Sequence, residues 1–163
     1  MAIHVVFVCL GNICRSPAAR VIFDQRVAAA GLSDQLTSDA CGTAAFNVGK
    51  PADPRATQAA AAAGYDLSAE VARQIDDSDY QQAHYLLAMD RKNLMQVECW
   101  ATDQSAAEIR LLMEFAGAAK QAQLDDPYYG DASQFQRMIS ELESAVDGLL
   151  TFLIQRHALG NNN

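Results

Sequence analysis

The sequence is poor in basic residues, and it has no long hydrophobic run. Its 12 lysines and arginines are outnumbered by 20 aspartates and glutamates, which gives a formal net charge of −8 at pH 7. Nucleic-acid binding needs basic side chains clustered against the phosphate backbone, so this deficit argues against nucleic acid as a partner. No apolar stretch reaches the length needed to span a bilayer, and we therefore expect no membrane association.

Cysteine is also scarce, with four residues at positions 9, 14, 41 and 99. They form no CxxC pair and lack the dense, even spacing of a secreted disulfide scaffold. The first residues pass directly into an apolar run without a basic leader. These features predict a cytoplasmic protein with reduced thiols, in which Cys41 is a small buried thiol.

Half of the 163 residues are hydrophobic, which is enough for one well-buried core. Apolar runs typical of buried parallel strands alternate with helical patterns. Strands are predicted at 3–9, 36–43, 84–89 and 109–113, and helices at 16–31, 53–64, 90–97 and along a final apolar stripe at 135–153. The fold class predicted is α/β: a single-domain, three-layer, doubly wound sandwich with a four-stranded parallel sheet and helices on both faces. The domain is expected to span 1–157, with 158–163 as a disordered tail.

Residues 9–17, CLGNICRSP, connect the first predicted strand to its helix. Open α/β sheets bind ligands at this kind of position. A loop that curls into a helix N-terminus directs several backbone N–H groups at one point, and the helix dipole favours an anion there. Gly11 and Asn12 tolerate the positive φ angles that such a curl requires. The loop therefore predicts a phosphate-binding cradle.

Reactive side chains occupy the same loop. A lone cysteine at a strand end is more often part of the core, but a cradle of amides around Cys9 favours its thiolate. The Ser16 hydroxyl is placed to donate to that sulfur. Arg15 offers a planar fork that matches two phosphoryl oxygens. We expect the nucleophile and the phosphate clamp in one loop.

The Cys-x5-Arg-Ser loop near the N-terminus and the segment DPYYG at 126–130 together resemble the low-molecular-weight protein tyrosine phosphatases. The similarity extends through Asp39, Thr43, residues 71–74 and residues 89–90, and so covers nearly the whole chain. It implies hydrolysis of phosphotyrosine through a phosphocysteine on Cys9. In that scheme Asp126 is the general acid and then the general base, and no metal or cofactor takes part.

The resemblance also assigns substrate-binding residues and partners. Phosphate would be bound by the rest of the loop, and the substrate ring by aromatic walls: Leu10, Gly11, Asn12, Ile13, Cys14 and Ser16, with Phe46, Tyr128 and Tyr129. It implies tyrosine-phosphorylated proteins as substrates and inorganic phosphate or vanadate as inhibitors. The protein would be mainly monomeric, with a weak dimer allowed.

Some positions keep a second interpretation or depart from the family. Cys14 resembles the cysteine that traps an oxidised nucleophile as a disulfide, and an inert packing residue is its alternative. Asp126 precedes a proline, where a simple turn is the alternative, and Asp125 is the next candidate for the acid. Glu70 stands where family members place a histidine that supports the loop asparagine.

Three other functions are compatible with this type of loop. Arsenate reductases need two neighbouring downstream cysteines, which the isolated Cys99 does not provide. Protein-arginine phosphatases typically have threonine at the position of Ile13, and the branched side chain of isoleucine fits a flat aromatic ester better than a guanidinium. A phosphate-binding module without catalysis would not need the acid at Asp126.

Overall fold

The computed structural model describes residues 2–117 and 123–160. Within these residues, four parallel strands form one sheet in the order β2-β1-β3-β4: β1 (Ile3–Cys9), β2 (Leu36–Gly42), β3 (Tyr85–Ala88) and β4 (Glu108–Leu111). From the central strand β1 the chain passes to β2 at one edge of the sheet. It then crosses to β3, on the other side of β1, and continues outward to β4. The point at which the direction reverses therefore lies at the carboxyl end of β1, where the predicted phosphate loop begins.

In the described part of the chain, five α-helices and one 3-10 helix cover the sheet: α1 (Arg15–Ala29), α2 (Pro54–Ala62), α3 (Asp77–Gln82), α4 (Arg91–Trp100), the 3-10 helix (Leu112–Phe115) and α5 (Ala132–His157). Alternate residues of β1 point to the two faces. Val5 and Phe7 pack with α1, α2 and α5, whereas Val6 and Val8 pack with α3 and α4. The predicted doubly wound α/β sandwich is confirmed.

Helices α1 and α5 pack against each other on one face of the sheet and form much of the hydrophobic core there. The apolar stripe predicted along α5 is buried from Phe135 to Leu153. Phe7 of β1 meets Phe23 of α1 edge to face, with 5.5 Å between ring centroids. Burial of each such side chain stabilises the fold by roughly 1.5–3 kcal/mol, and this packing fixes α1 and the loop that precedes it.

Three of the differences between the structure and the sequence prediction concern α3, β4 and α1. Helix α3 was not predicted, because it has six residues and buries little apart from Asp79 and Tyr80. The last strand ends at Leu111, and the 3-10 helix continues the chain where the prediction extended the strand to Met113. Helix α1 begins at Arg15, one residue before the predicted start, so Ser16 lies in its first turn, where the Ser16 side chain contacts the loop.

Residues 158–160, which the sequence assigned to the tail, lie against the domain. Ala158 takes a left-handed conformation after α5, and Leu159 packs against the core. The Gly160 N–H donates to Gln35 Oε1 over 3.1 Å. These contacts keep residues 158–160 on the domain, and residues 161–163 lie outside the described residues. Within 2–117 and 123–160, no helix combines the length and hydrophobicity needed to cross a membrane.

Candidate active site

The sulfur of Cys9 lies at the end of β1, where the chain turns into α1. The side chain is buried, and its Sγ accepts a hydrogen bond from the Asn12 N–H over 3.2 Å. The Ser16 Oγ lies 3.0 Å from the same sulfur. The Cys9 sulfur therefore lies in contact with the loop backbone and with the Ser16 side chain in the first turn of α1.

Asn12 gives the loop its sharp curl. Its φ angle is 57°, in the left-handed region that few residues other than glycine and asparagine adopt. The side chain holds this conformation from both ends, because its Nδ2 donates to Ser16 Oγ over 2.7 Å and its Oδ1 accepts from the Arg73 N–H over 3.0 Å. The Asn12 side chain is therefore held by hydrogen bonds to Ser16 and Arg73, and neither of these involves Glu70.

Glu70 takes part in a neighbouring ion pair. Its carboxylate lies 3.6 Å from the Arg20 guanidinium, and the side chain is largely buried. Burial raises the pKa of Glu70, and the nearby positive charge of Arg20 only partly opposes that rise. The residue that replaces the family histidine thus belongs to a partly buried charged group beside the loop.

The last residue of β2 and the residue after it pack against the phosphate loop. The Thr43 N–H donates to the Cys9 carbonyl over 2.9 Å. Gly42 comes so close that an added Cβ would lie 2.7 Å from the Leu10 carbonyl oxygen, so any larger residue would displace the loop. Arg73 reaches Asp79 and Asp39 at 2.7 and 3.0 Å. These contacts fix the position of the backbone that holds Asn12.

Arg15 is 2% exposed, and its guanidinium is held from the β3 side of the sheet. Its Nη1 donates to Asp90 Oδ2 over 2.7 Å and to the Leu124 carbonyl over 2.9 Å. Burial acts to lower the pKa of Arg15, but the negative charge at Cys9 and the hydrogen bond to Asp90 outweigh it and raise the pKa. Arg15 is therefore a permanently charged group with a fixed orientation.

The loop before α5 brings Asp126 over the same pocket. Asp126 Oδ2 lies 3.5 Å from Arg15 Nη2, and the Asp126 side chain is 40% exposed. Its other oxygen accepts from the Tyr128 N–H over 3.1 Å, which closes a tight turn. A carboxyl group in this position faces both solvent and the loop.

Most of the predicted site residues line one cavity of about 380 Å³. Phe46 and Tyr129 stand at its rim with exposed fractions of 65% and 96%. Asn12 and Ser16 do not line it; they are buried beneath the loop. The predicted residues in the lining are Cys9, Leu10, Gly11, Ile13, Cys14, Arg15, Phe46, Asp126, Tyr128 and Tyr129.

Two lining residues were not predicted, Asn47 and Lys50. Asn47 Nδ2 donates to the Gly11 carbonyl over 3.3 Å, and Lys50 adds a positive charge to the rim. Both follow Phe46 in an irregular segment. Because both are close in sequence to Phe46, a search of the residues around that predicted aromatic side chain would have identified them.

Cys14 is buried beside Cys9, and all four cysteines are free thiols. Burial strongly raises the pKa of Cys14, and the negative charges of Asp53 and Cys9 add to this effect. Burial also raises the pKa of Cys41. The thiols of Cys14 and Cys41 therefore stay protonated near neutral pH.

A buried arginine beside a cysteine sulfur at the first β-α turn of a doubly wound sheet is the arrangement expected of cysteine-dependent phosphatases. The family model described as low molecular weight phosphotyrosine protein phosphatase matches residues 4–159. This chain belongs to that family and is a low molecular weight protein tyrosine phosphatase.

Individual relatives agree with this assignment. A Streptomyces coelicolor protein named low molecular weight protein-tyrosine-phosphatase is 39% identical over 92% of this chain and 93% of its own. A crystal structure of an Entamoeba histolytica protein tyrosine phosphatase matches with a TM-score of 0.90 at 30% identity, over 97% of this chain and 100% of that one. A Drosophila structure titled arginine phosphatase matches with a TM-score of 0.85 at 26% identity, over 97% and 99%. The same fold thus occurs in proteins named for different phosphorylated residues.

Proposed function

We propose that this enzyme hydrolyses phosphotyrosine in proteins through a phosphocysteine on Cys9, with Asp126 as general acid and base and without a metal. The observation that carries the proposal is the convergence of three groups on one pocket: the hydrogen-bonded Cys9 sulfur, the buried Arg15 guanidinium and the Asp126 carboxyl group.

In the first step the Cys9 thiolate attacks phosphorus. The S–P bond forms while the P–O bond to the tyrosine breaks, and Asp126 donates its proton to the departing oxygen. A phenolate leaves poorly until it is protonated, since the pKa of tyrosine is about 10. Arg15 and the loop N–H groups contact the equatorial oxygens of the transferring phosphoryl group. Their positive charge stabilises the negative charge on those oxygens in the transition state.

In the second step a water molecule attacks the phosphocysteine. The Asp126 carboxylate accepts a proton from that water, the S–P bond breaks, and Cys9 returns to the thiolate as inorganic phosphate leaves. The two-step route replaces one difficult displacement with two easier ones. Asp126 ends the cycle protonated, ready to act as the acid again.

The pocket lining favours an aromatic ester over a phosphorylated guanidinium. Ile13 contributes an apolar wall beside the loop, and Phe46 and Tyr128 add aromatic surface at the mouth. A flat aromatic ring packs well between such groups. We propose tyrosine-phosphorylated proteins as substrates and phosphate or vanadate as inhibitors. The free thiols are compatible with a reducing cytoplasm.

The test is steady-state hydrolysis of p-nitrophenyl phosphate and of peptides that carry phosphotyrosine, phosphoserine or phosphoarginine, with a chelator and thiol present. We expect turnover of the two aryl phosphates alone. A preference for phosphoarginine would replace the proposed substrate, and activity that depends on added metal would contradict the metal-free mechanism.

The covalent step needs its own experiment. Rapid quenching during turnover should trap phosphate on the wild-type enzyme as an acid-stable, thiol-linked adduct. The Cys9→Ser variant should lose turnover and the adduct but retain measurable vanadate binding, because the loop N–H groups and Arg15 remain. Appreciable turnover by Cys9→Ser would remove Cys9 from the role of nucleophile.

A further inference from the structure

Arg55, in the first turn of α2, links the two loops of the active site. Its guanidinium is paired with Asp53, the N-cap of α2, through contacts of 2.9 and 3.1 Å. The remaining nitrogen, Nη1, donates to the carbonyl of Tyr128 over 2.8 Å. One side chain therefore contacts the start of α2 and the loop that carries Asp126.

The contacts continue to both catalytic loops. On one side the Asp53 N–H donates to the Ile13 carbonyl over 2.8 Å, so the start of α2 is bonded to the phosphate loop. On the other side the Tyr128 N–H donates to Asp126 Oδ1 over 3.1 Å. A continuous series of hydrogen bonds thus runs from the phosphate loop through Asp53 and Arg55 to the carboxyl group of Asp126.

Aromatic packing fixes the position of the Arg55 guanidinium. Its central carbon lies 5.0 Å from the ring centroid of Tyr128 and 4.7 Å from that of Phe135, at the start of α5. Both distances are within the range of cation-π attraction. The planar, delocalised guanidinium is suited to paired hydrogen bonds and stacking at once, whereas lysine is not.

Both members of the Asp53–Arg55 pair remain charged. Burial acts to raise the pKa of Asp53, but hydrogen bonds from Arg55 outweigh it and lower that pKa. The same hydrogen bond raises the pKa of Arg55. The series of contacts is therefore not broken by a change of protonation near neutral pH.

We propose that Arg55 is a positioning residue that sets the place of Asp126 above the phosphate loop. The proposal rests on the role proposed for Asp126 as general acid. Arg55 itself touches neither the nucleophile nor the proton that is transferred. Replacement of Arg55 should therefore lower kcat/KM strongly for substrates whose leaving group must be protonated. The loss should be small for substrates whose leaving group departs readily.

The experiment compares kcat/KM for phenyl phosphate and for p-nitrophenyl phosphate, whose nitro group makes the phenolate a better leaving group. The variants are Arg55→Ala, Arg55→Lys and Asp126→Asn. Arg137→Ala is the matched control, because it removes an exposed arginine from α5 nearby. The inhibition constant of inorganic phosphate reports whether the phosphate loop remains folded in each variant.

We expect Asp126→Asn to reduce kcat/KM for phenyl phosphate by about 10²–10⁴-fold, with a smaller loss for p-nitrophenyl phosphate. Arg55→Ala should lose roughly 10-fold or more on phenyl phosphate, since a displacement near 1 Å can cost about 10²-fold, and only a few-fold on p-nitrophenyl phosphate. Arg55→Lys should show the same selective loss, because it keeps the charge but not the paired geometry. Arg137→Ala should match the wild type on both substrates.

Equal losses on the two substrates for Arg55→Ala, alongside a selective loss for Asp126→Asn, would overturn the role of Arg55 and leave the acid assignment intact. A loss in Asp126→Asn that does not depend on the leaving group would overturn both. If Arg55→Ala does not bind phosphate, Arg55→Lys becomes the deciding variant. The proposal is then wrong if the ratio of kcat/KM values for the two substrates is the same in Arg55→Lys as in the wild type.

Discussion

Arg15 Nη1 and Asp90 Oδ2 are 2.7 Å apart, although the two residues are separated by 75 positions in the sequence. Arg15 follows β1 and Asp90 follows β3, and these strands are neighbours in the sheet. Asp90 also accepts from the Asn93 N–H as the N-cap of α4. The carboxylate therefore orients the phosphate clamp and begins a helix at the same time.

The two roles of Asp90 can be separated by substitution. Asp90→Asn retains a good N-cap but loses the charged contact with Arg15, so kcat should fall about 10-fold as the guanidinium loses its alignment. Inorganic phosphate should bind nearly as well as before, because removal of a negative charge compensates for the looser clamp. Asp90→Ala should lose about 1 kcal/mol more in the free energy of unfolding. Wild-type kcat in Asp90→Asn would contradict the orienting role.

Cys14 should protect the nucleophile from irreversible oxidation. Peroxide converts the Cys9 thiolate to a sulfenic acid, and attack by the Cys14 sulfur then expels water and forms a disulfide that added thiol can reduce. After peroxide and then dithiothreitol, wild-type activity should recover, whereas Cys14→Ser should recover much less. Cys99→Ser, at an exposed cysteine, is the control. Equal recovery in all three proteins would leave Cys14 as a packing residue.

Glu70 should make the stability of the protein depend on pH. Because burial raises the pKa of Glu70 in the folded state, its charged form disfavours folding. The wild type should therefore gain stability as the pH falls through the raised pKa toward the value in the unfolded chain. Glu70→Gln lacks this change, so its melting temperature relative to the wild type should decline across that interval. A constant difference between pH 8 and pH 4.5 would contradict the prediction.

Lys50 should favour substrates with acidic residues beside the phosphotyrosine. It is a lining residue with a positive charge on a protein whose net charge is −8. Lys50→Glu should lower kcat/KM for an acidic phosphopeptide about two- to five-fold more than for p-nitrophenyl phosphate, and added salt should reduce the difference. Lys92→Glu makes the same charge change on α4, outside the pocket lining. An equal effect in both variants would assign the difference to net charge alone.

Local sequence was sufficient to predict the first strand, the loop after it and the side chains that this loop brings together. Cys9, Arg15 and Ser16 fall within eight consecutive residues, so no tertiary information is needed to place them together. Arg55 could not be found in this way, because its partner carbonyl at Tyr128 is 73 positions distant. Helix α3 was missed for another reason: its capping box begins at Asp76, but the helix is too short to show an apolar period.

The order of the elements also decides when the enzyme can become active during synthesis. Cys9 and Arg15 leave the ribosome early, whereas Asp126 and α5, which packs against α1 and α2, follow at the end. A nascent chain that stops before α5 would leave the apolar face of α1 uncovered. Hydrolysis of phosphotyrosine should therefore begin only after the last helix has docked, so that activity reports the completed fold.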